Sequence, residues 1–252
     1  MTGQVRGSLV VVGTGPGKPE LMTPATQTAL ARATDLVGYA PYLERVPVHA
    51  GQCRHASDNR VELDRARHAL ALAASGRQVV VVSGGDPGVF AMAAAVFEAI
   101  ETGEPAWHAL DIRVEPGVTA MLAAAAEVGA PLGGDFCAIS LSDNLKAWST
   151  IERRLKAAAK GDFVIALYNP ASKARPYQLG QAFELLSRMK NADTPVLFVR
   201  AAGTADAEVI TTTLATADPS RADMRTLVIV GASTTRQVGR WVYTPRRERD
   251  GA

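Results

Sequence analysis

The chain has 252 residues, 47% of them hydrophobic, with a formal net charge of +2. That is enough apolar material for one large or two ordinary domains, and too much for a disordered chain. The charge is too mild for a nucleic-acid surface, and the basic run Arg246, Arg247, Arg249 reads as a solvated tail. Cys53 and Cys137 stand far apart, with no CxxC pair and no Cys/His ligand spacing, so no metal site is expected. Only a short apolar run precedes Gly13, and no stretch approaches the roughly 18 apolar residues of a membrane span. No signal peptide and a soluble cytoplasmic protein are expected.

Apolar runs rich in valine and isoleucine recur at 9–13, 35–38, 78–83, 111–114, 137–141, 163–168, 195–200 and 226–231. Most are continuous rather than alternating, which is how strands buried on both faces read, so a largely parallel sheet flanked by helices is expected. A helix is expected from Thr23, with Pro24 in its first turn. In 59–74, Leu63, Ala66, Leu70 and Ala73 step by three and four, with Asn59 and Glu62 as a capping pair. The same stepping recurs in 146–160 and in 177–190. Strands alternating with helices indicate an α/β fold. Glu115-Pro116-Gly117 is the boundary candidate, giving domains 1–116 and 117–245 with a tail at 246–252. Each half would then hold about four strands.

Six of these strands end in polar or glycine-rich loops. The first, Gly13-Thr14-Gly15-Pro16-Gly17, is not a dinucleotide fingerprint, because Pro16 and Pro19 lie where helix should begin. Nor is it a Walker loop, since Gly17-Lys18 is followed by Pro19; a nucleotide-binding dehydrogenase is disfavoured accordingly. The second, Ser83-Gly84-Gly85-Asp86-Pro87-Gly88, breaks a buried strand before a helix expected from about Val89. Ligands bind beyond the carboxyl ends of such strands, and glycines let backbone groups approach closely. Asp86 either caps the helix or accepts from an ammonium or ribose hydroxyl. In Pro116-Gly117-Val118-Thr119-Ala120, Thr119 either caps a helix or bonds a ligand. Tyr168-Asn169-Pro170-Ala171-Ser172-Lys173-Ala174-Arg175 suits an anion or is a solvated loop. Arg200-Ala201-Ala202-Gly203-Thr204 and Gly231-Ala232-Ser233-Thr234 complete the set. If two sheets face each other across a cleft, the six loops converge on one site. No histidine adjoins a nucleophile signature.

Taken together, the loops resemble the tetrapyrrole methylases, S-adenosylmethionine-dependent enzymes; the likeness runs from about Leu9 to Pro245. Residues 37–46, 142–175 and 242–246 carry a closer likeness to its corrin branch. The resemblance implies two α/β domains with an inter-domain cleft, commonly paired as a homodimer. It implies methyl transfer to a metal-free corrin precursor with contraction of the macrocycle; a cobalt-containing acceptor and a non-catalytic tetrapyrrole carrier are the alternatives. By the same resemblance, Pro16, Gly84, Gly85, Asp86, Val89, Thr119, Ala120, Tyr168, Asn169, Ala202, Gly231 and Ala232 hold the donor, largely through backbone. Ring contraction calls for a base and a hydrogen-bond donor, for which Asp86, Ser83, Tyr42, His49 and Lys173 are candidates by position or type. Arg45, Lys146, Lys173, Arg175 and Arg236 are candidates for cradling the acceptor's carboxylates, against a solvated-surface reading.

Overall fold

The computed structural model describes residues 7–58 and 61–247, so Asn59 of the expected capping pair and tail residues 248–252 lie outside it. The chain divides into two compact units, Met1–Thr119 and Ala120–Ala252.

The first unit runs β1 (Ser8–Gly13), α1 (Pro24–Arg32), β2 (Asp35–Tyr39), α2 (Ala40–Leu43), β3 (Cys53–Ser57), α3 (Glu62–Ala74), β4 (Gln78–Ser83), α4 (Met92–Glu101) and β5 (Asp111–Glu115). Its sheet has the order β3-β2-β4-β1-β5, and every pairing is parallel. The continuous apolar runs explain themselves here. Leu9, Val11, Val79 and Val81 face α3 and α4, whereas Val10, Val12, Val80 and Val82 pack with Leu30 of α1 and Leu43 of α2. Alternate residues point to opposite faces and both faces are covered, so every position is apolar. Because all five strands run the same way, their carboxyl ends share one edge. The loops after Gly13, Tyr39, Ser57, Ser83 and Glu115 therefore lie together.

α1 begins at Pro24, with the Thr23 side chain accepting from the Thr26 amide, as the sequence predicts. α4 begins at Met92 rather than near Val89, because Phe90 adopts a left-handed conformation (φ 52°) that no helix can incorporate.

The second unit runs α5 (Ala120–Val128), β6 (Gly129–Ala130), β7 (Phe136–Ser140), α6 (Trp148–Lys160), β8 (Val164–Tyr168), α7 (Gln178–Ser187), β9 (Pro195–Arg200), β10 (Glu208–Thr213), β11 (Thr226–Val230), β12 (Arg236–Val238) and β13 (Trp241–Tyr243). The main sheet has the order β10-β9-β11-β8-β7, and a small sheet has the order β12-β13-β6. α6 and α7 pack on one face of the main sheet through Ile151, Leu155, Leu179 and Phe183. α5 contacts β9 and β11. This unit corrects the expectation of a largely parallel sheet. Only β7 and β8 pair in parallel in its main sheet; β11 runs antiparallel to both β8 and β9, and β10 antiparallel to β9. Double-sided burial makes a central strand continuously apolar whichever way it runs, so the sequence pattern carries no direction.

Candidate functional site

In the first unit three strand-end loops are joined through backbone. The amide of Gly15 donates to the Gly85 carbonyl at 3.1 Å, and the amide of Gly85 returns a bond to the Gly15 carbonyl at 2.9 Å. Both glycines have positive φ, 72° and 64°. A Cβ on Gly13 would lie 2.5 Å from the Gly85 oxygen, and one on Gly117 only 2.2 Å from it. Side chains at those two positions would hold the loops apart; glycine lets them touch. Asp86 completes the junction. Its Oδ1 accepts from the Gly88 amide at 2.8 Å and its Oδ2 from the Gly117 amide at 3.0 Å. Asp86 therefore caps no helix: it closes its own turn and ties the second loop to the third.

Gly84 presents its open face to an aromatic ring, since a Cβ there would lie 2.8 Å from Tyr42. Tyr42 stacks edge-on to Tyr39, with ring centroids 5.4 Å apart. Burial pushes the Tyr42 phenol above its ordinary pKa, with nearby Arg45 and Arg65 opposing. Tyr42 is thus a hydrogen-bond donor at neutral pH rather than a base. Ser83 is buried, and its carbonyl accepts from both the amide and the hydroxyl of Thr14. Pro16, Val89 and Ala120 are half-buried, and Thr119 is buried. His49 and Arg45 are exposed in the segment between α2 and β3.

In the second unit the end of β8 is ordered by its own side chains. The Tyr168 hydroxyl accepts from the Met121 amide at 3.0 Å, satisfying an orphan donor in the first turn of α5. Asn169 holds φ at 51°, and its Nδ2 donates to the Ser140 hydroxyl. Arg175 is buried, and its Nη1 donates to the Asn169 carbonyl at 3.3 Å. It braces the loop from within and does not extend into solvent as a cradle residue would. Lys173 is exposed. Burial, followed by the charge of Arg154, pushes the ammonium of half-buried Lys146 below its ordinary pKa. Ala202 is buried beside left-handed Ala201 (φ 51°) at the end of β9. Arg236 is exposed on β12, over the Tyr243 ring at 5.6 Å.

The structure does not bring Gly231 and Ala232 to this edge. Antiparallel β11 ends beside the start of its neighbours: Val230 pairs with Ile165 and Val196, and the Gly231 amide donates to the Pro195 carbonyl. Tyr168 lies four residues farther along β8 than Val164, about 13 Å at strand rise. Gly231 serves packing there, where a Cβ would meet Thr235 at 2.8 Å. The Ala232 amide donates to the Thr235 hydroxyl. The sixth loop thus lies away from the ends of β8 and β9 within its own unit, for the same reason that the parallel-sheet expectation fails.

A groove of about 480 Å³ along α1, lined by residues such as Thr28, Arg32, Gln78 and Arg113, includes none of the candidate donor residues. Sequence reasoning also missed two buried charges. Asp35 receives Nε of Arg77 at 2.7 Å and faces His55 Nε2 at 2.9 Å. Arg65 is 5% exposed, near the start of α3. Among the described residues, no three His, Cys, Asp or Glu side chains are grouped as a metal site would require, and no helix is long and apolar enough to cross a membrane.

Comparison with known proteins gives this geometry its context. Residues 8–218 match the family model of the tetrapyrrole (corrin/porphyrin) methylases. The chain is 59% identical over 245 residues to a precorrin-3B C(17)-methyltransferase of Sinorhizobium sp, covering 95% of this chain and 96% of that protein. It is 37% identical to a cobalt-factor III methyltransferase of Priestia megaterium over 96% of this chain, spanning 45% of that longer protein. The crystal structure of the methyltransferase CobJ superposes with a TM-score of 0.93 at 55% identity, covering 95% of this chain and all of that one. The chain belongs to the tetrapyrrole methylases.

Proposed function

We propose that this protein transfers the methyl group of S-adenosylmethionine to C17 of metal-free precorrin-3B, with contraction of the macrocycle to precorrin-4 in corrin biosynthesis. The observation that carries the reading is identity of 59% over nearly the whole length of a methyltransferase named for that acceptor. Namesakes of the cobalt-bearing acceptor are more distant, at 41% and 37% identity.

S-adenosylmethionine supplies an electrophilic methyl on a sulfonium. The new bond forms from carbon to carbon, the methyl–sulfur pair returns to sulfur, and positive charge passes to the macrocycle. Such a displacement needs alignment more than acid–base help, and alignment is worth several kcal/mol. The glycine-joined loops suit that task. Gly84 is open toward Tyr42, and the tight Gly13–Gly85–Gly117 contact fixes the backbone that would line the donor. We assign the donor contacts to Pro16, Gly84, Gly85, Val89, Thr119, Ala120, Tyr168, Asn169 and Ala202, with Asp86 holding its loop in shape. Arg45, Lys146, Lys173 and Arg236 are assigned to acceptor carboxylates. For ring contraction, the protonated Tyr42 phenol suits the role of hydrogen-bond donor to the departing lactone carboxylate better than that of base. We further propose that the chain pairs with a second copy, so that sedimentation should give twice the chain mass.

Incubating the protein with donor and either metal-free precorrin-3B or its cobalt counterpart, then recording product mass and absorbance, tests the assignment. One added methyl with a contracted chromophore from the metal-free acceptor is expected. Binding without turnover would make the protein a carrier, and turnover of the cobalt compound alone would reverse the choice of acceptor.

A further inference from the structure

Arginine is almost never fully buried unless its charge is paired. Arg65 is 5% exposed, yet no carboxylate of a described residue lies within ion-pair distance of it. Its Nε donates to the Ser57 hydroxyl at 2.8 Å, and its Nη2 donates to the Asp58 carbonyl. These two bonds fix the guanidinium against the carboxyl end of β3. Among the described residues, Nη1 has only the Met92 sulfur, at 3.3 Å. A thioether is a weak acceptor for a cationic donor, so this part of the fork is poorly satisfied. Glu62, exposed on the same helix, and the phenols of Tyr39 and Tyr42 are close enough to be felt by the charge, but burial outweighs them and lowers its pKa.

The position matters as much as the charge. Met92 is the first residue of α4, two residues beyond Phe90 at the end of the loop after β4. Tyr42, whose phenol feels Arg65, lies with its ring against Gly84. The underserved Nη1 therefore adjoins the loop assigned to the methyl donor, at the shared carboxyl edge of the first sheet. Of the cations assigned to the acceptor, Arg45, Lys173 and Arg236 are exposed. A preoriented, dehydrated guanidinium gives a carboxylate a stronger charge-assisted bond than a solvated lysine does.

Resting on the assignment of a polycarboxylate acceptor made above, we propose that Arg65 Nη1 is a carboxylate-binding subsite for one peripheral acid group of the tetrapyrrole, which replaces the Met92 thioether as the partner of Nη1. The test measures two affinities in each of three proteins: precorrin-3B by anaerobic absorbance titration, and S-adenosylhomocysteine by calorimetry, in wild type, Arg65→Met and Arg65→Lys. Arg65→Met should weaken the acceptor at least tenfold while changing the donor analogue less than twofold. Arg65→Lys keeps the cation without the fork and should fall between, with folding retained by circular dichroism; it decides the matter if Arg65→Met does not fold. Acceptor affinity within twofold of wild type in Arg65→Lys, or equal losses of acceptor and donor analogue, would overturn the subsite and leave Arg65 a brace between β3 and α4. A wild-type protein that does not bind precorrin-3B overturns the acceptor assignment, and this subsite with it.

Discussion

Gly117→Ala tests the idea that three glycine backbones in contact build the donor loop. The added Cβ would lie 2.2 Å from the Gly85 oxygen and 2.9 Å from Cα and the carbonyl carbon of Gly13. A real Cβ needs more than 3.0 Å, so the Gly85 carbonyl must retreat by close to 1 Å. That carbonyl accepts from the Gly15 amide, and the Gly117 amide donates to Asp86, so both bonds loosen together. Overpacking costs about 1–3 kcal/mol. Losing one net hydrogen bond adds about 1 kcal/mol. The sum, about 2–4 kcal/mol, should lower the thermal midpoint by roughly 4–16 °C for a chain of this size. Affinity for S-adenosylhomocysteine, read by calorimetry, should fall at least tenfold. Gly180→Ala is the control: in α7 its Cβ would find nothing nearer than the Pro219 ring at 3.7 Å, so stability should rise by about 0.5–1 kcal/mol. The reasoning is refuted if Gly117→Ala melts with wild type and binds the donor analogue equally well.

Three further outcomes are expected. Asp86→Ala removes the acceptor of two loop amides, so it should cost about 1–3 kcal/mol and weaken S-adenosylhomocysteine at least tenfold; wild-type affinity in a folded variant sinks the donor assignment. Burial alone would raise the pKa of Asp35, but bonds from Arg77, Thr34 and His55 outweigh it and hold the group at about 2. A depressed carboxylate stabilises the fold above its unfolded pKa of about 3.9, and that contribution of about 2 kcal/mol disappears as pH falls from 4 through 2; denaturation curves of wild type and Asp35→Asn that stay parallel over this range contradict it. Tyr168→Phe strands the Met121 amide and should cost about 1 kcal/mol by urea denaturation; an unchanged midpoint would show that water replaces the phenol.

What the sequence disclosed divides along physical lines. The eight apolar runs became β1, β2, β4, β5, β7, β8, β9 and β11; six of these are central strands, where burial leaves its mark on nearly every residue. β3 and β10 escaped notice because, of the four edge strands in the two main sheets, these two carry the polar sequences: Cys53–Ser57 is half polar, and Glu208–Thr213 ends in three threonines. Direction left no mark at all, and that misplaced Gly231 and Ala232. The glycine loops were legible because close backbone approach restricts the residue type, although Asp86 proved to serve the loop before any ligand. Arg65 was illegible for a different reason. A single arginine in an amphipathic helix reads as surface, and only its spacing of four from buried Ala69 hints that it shares the inner face.

Four described residues other than glycine hold left-handed backbone, and three of them are Phe90, Asn169 and Ala201. Each lies in the loop that follows a strand, within or beside residues assigned to the donor. The fourth, Asp162, is compensated locally, since it receives the Lys190 ammonium and the amide and hydroxyl of Ser233. Such conformations cost of order 1–3 kcal/mol and persist only where the surroundings enforce them. Asn169 shows how this is done, with its side chain bonded to Ser140 and its carbonyl to Arg175. A glycine at these positions would relieve the strain but would also free the loop. A reaction that depends on aligning one carbon with one carbon–sulfur bond gains more from a fixed peptide plane than from an acid or a base. This accounts for the absence of histidine from these loops, and for Arg175 and Asp86 being engaged with backbone rather than facing solvent.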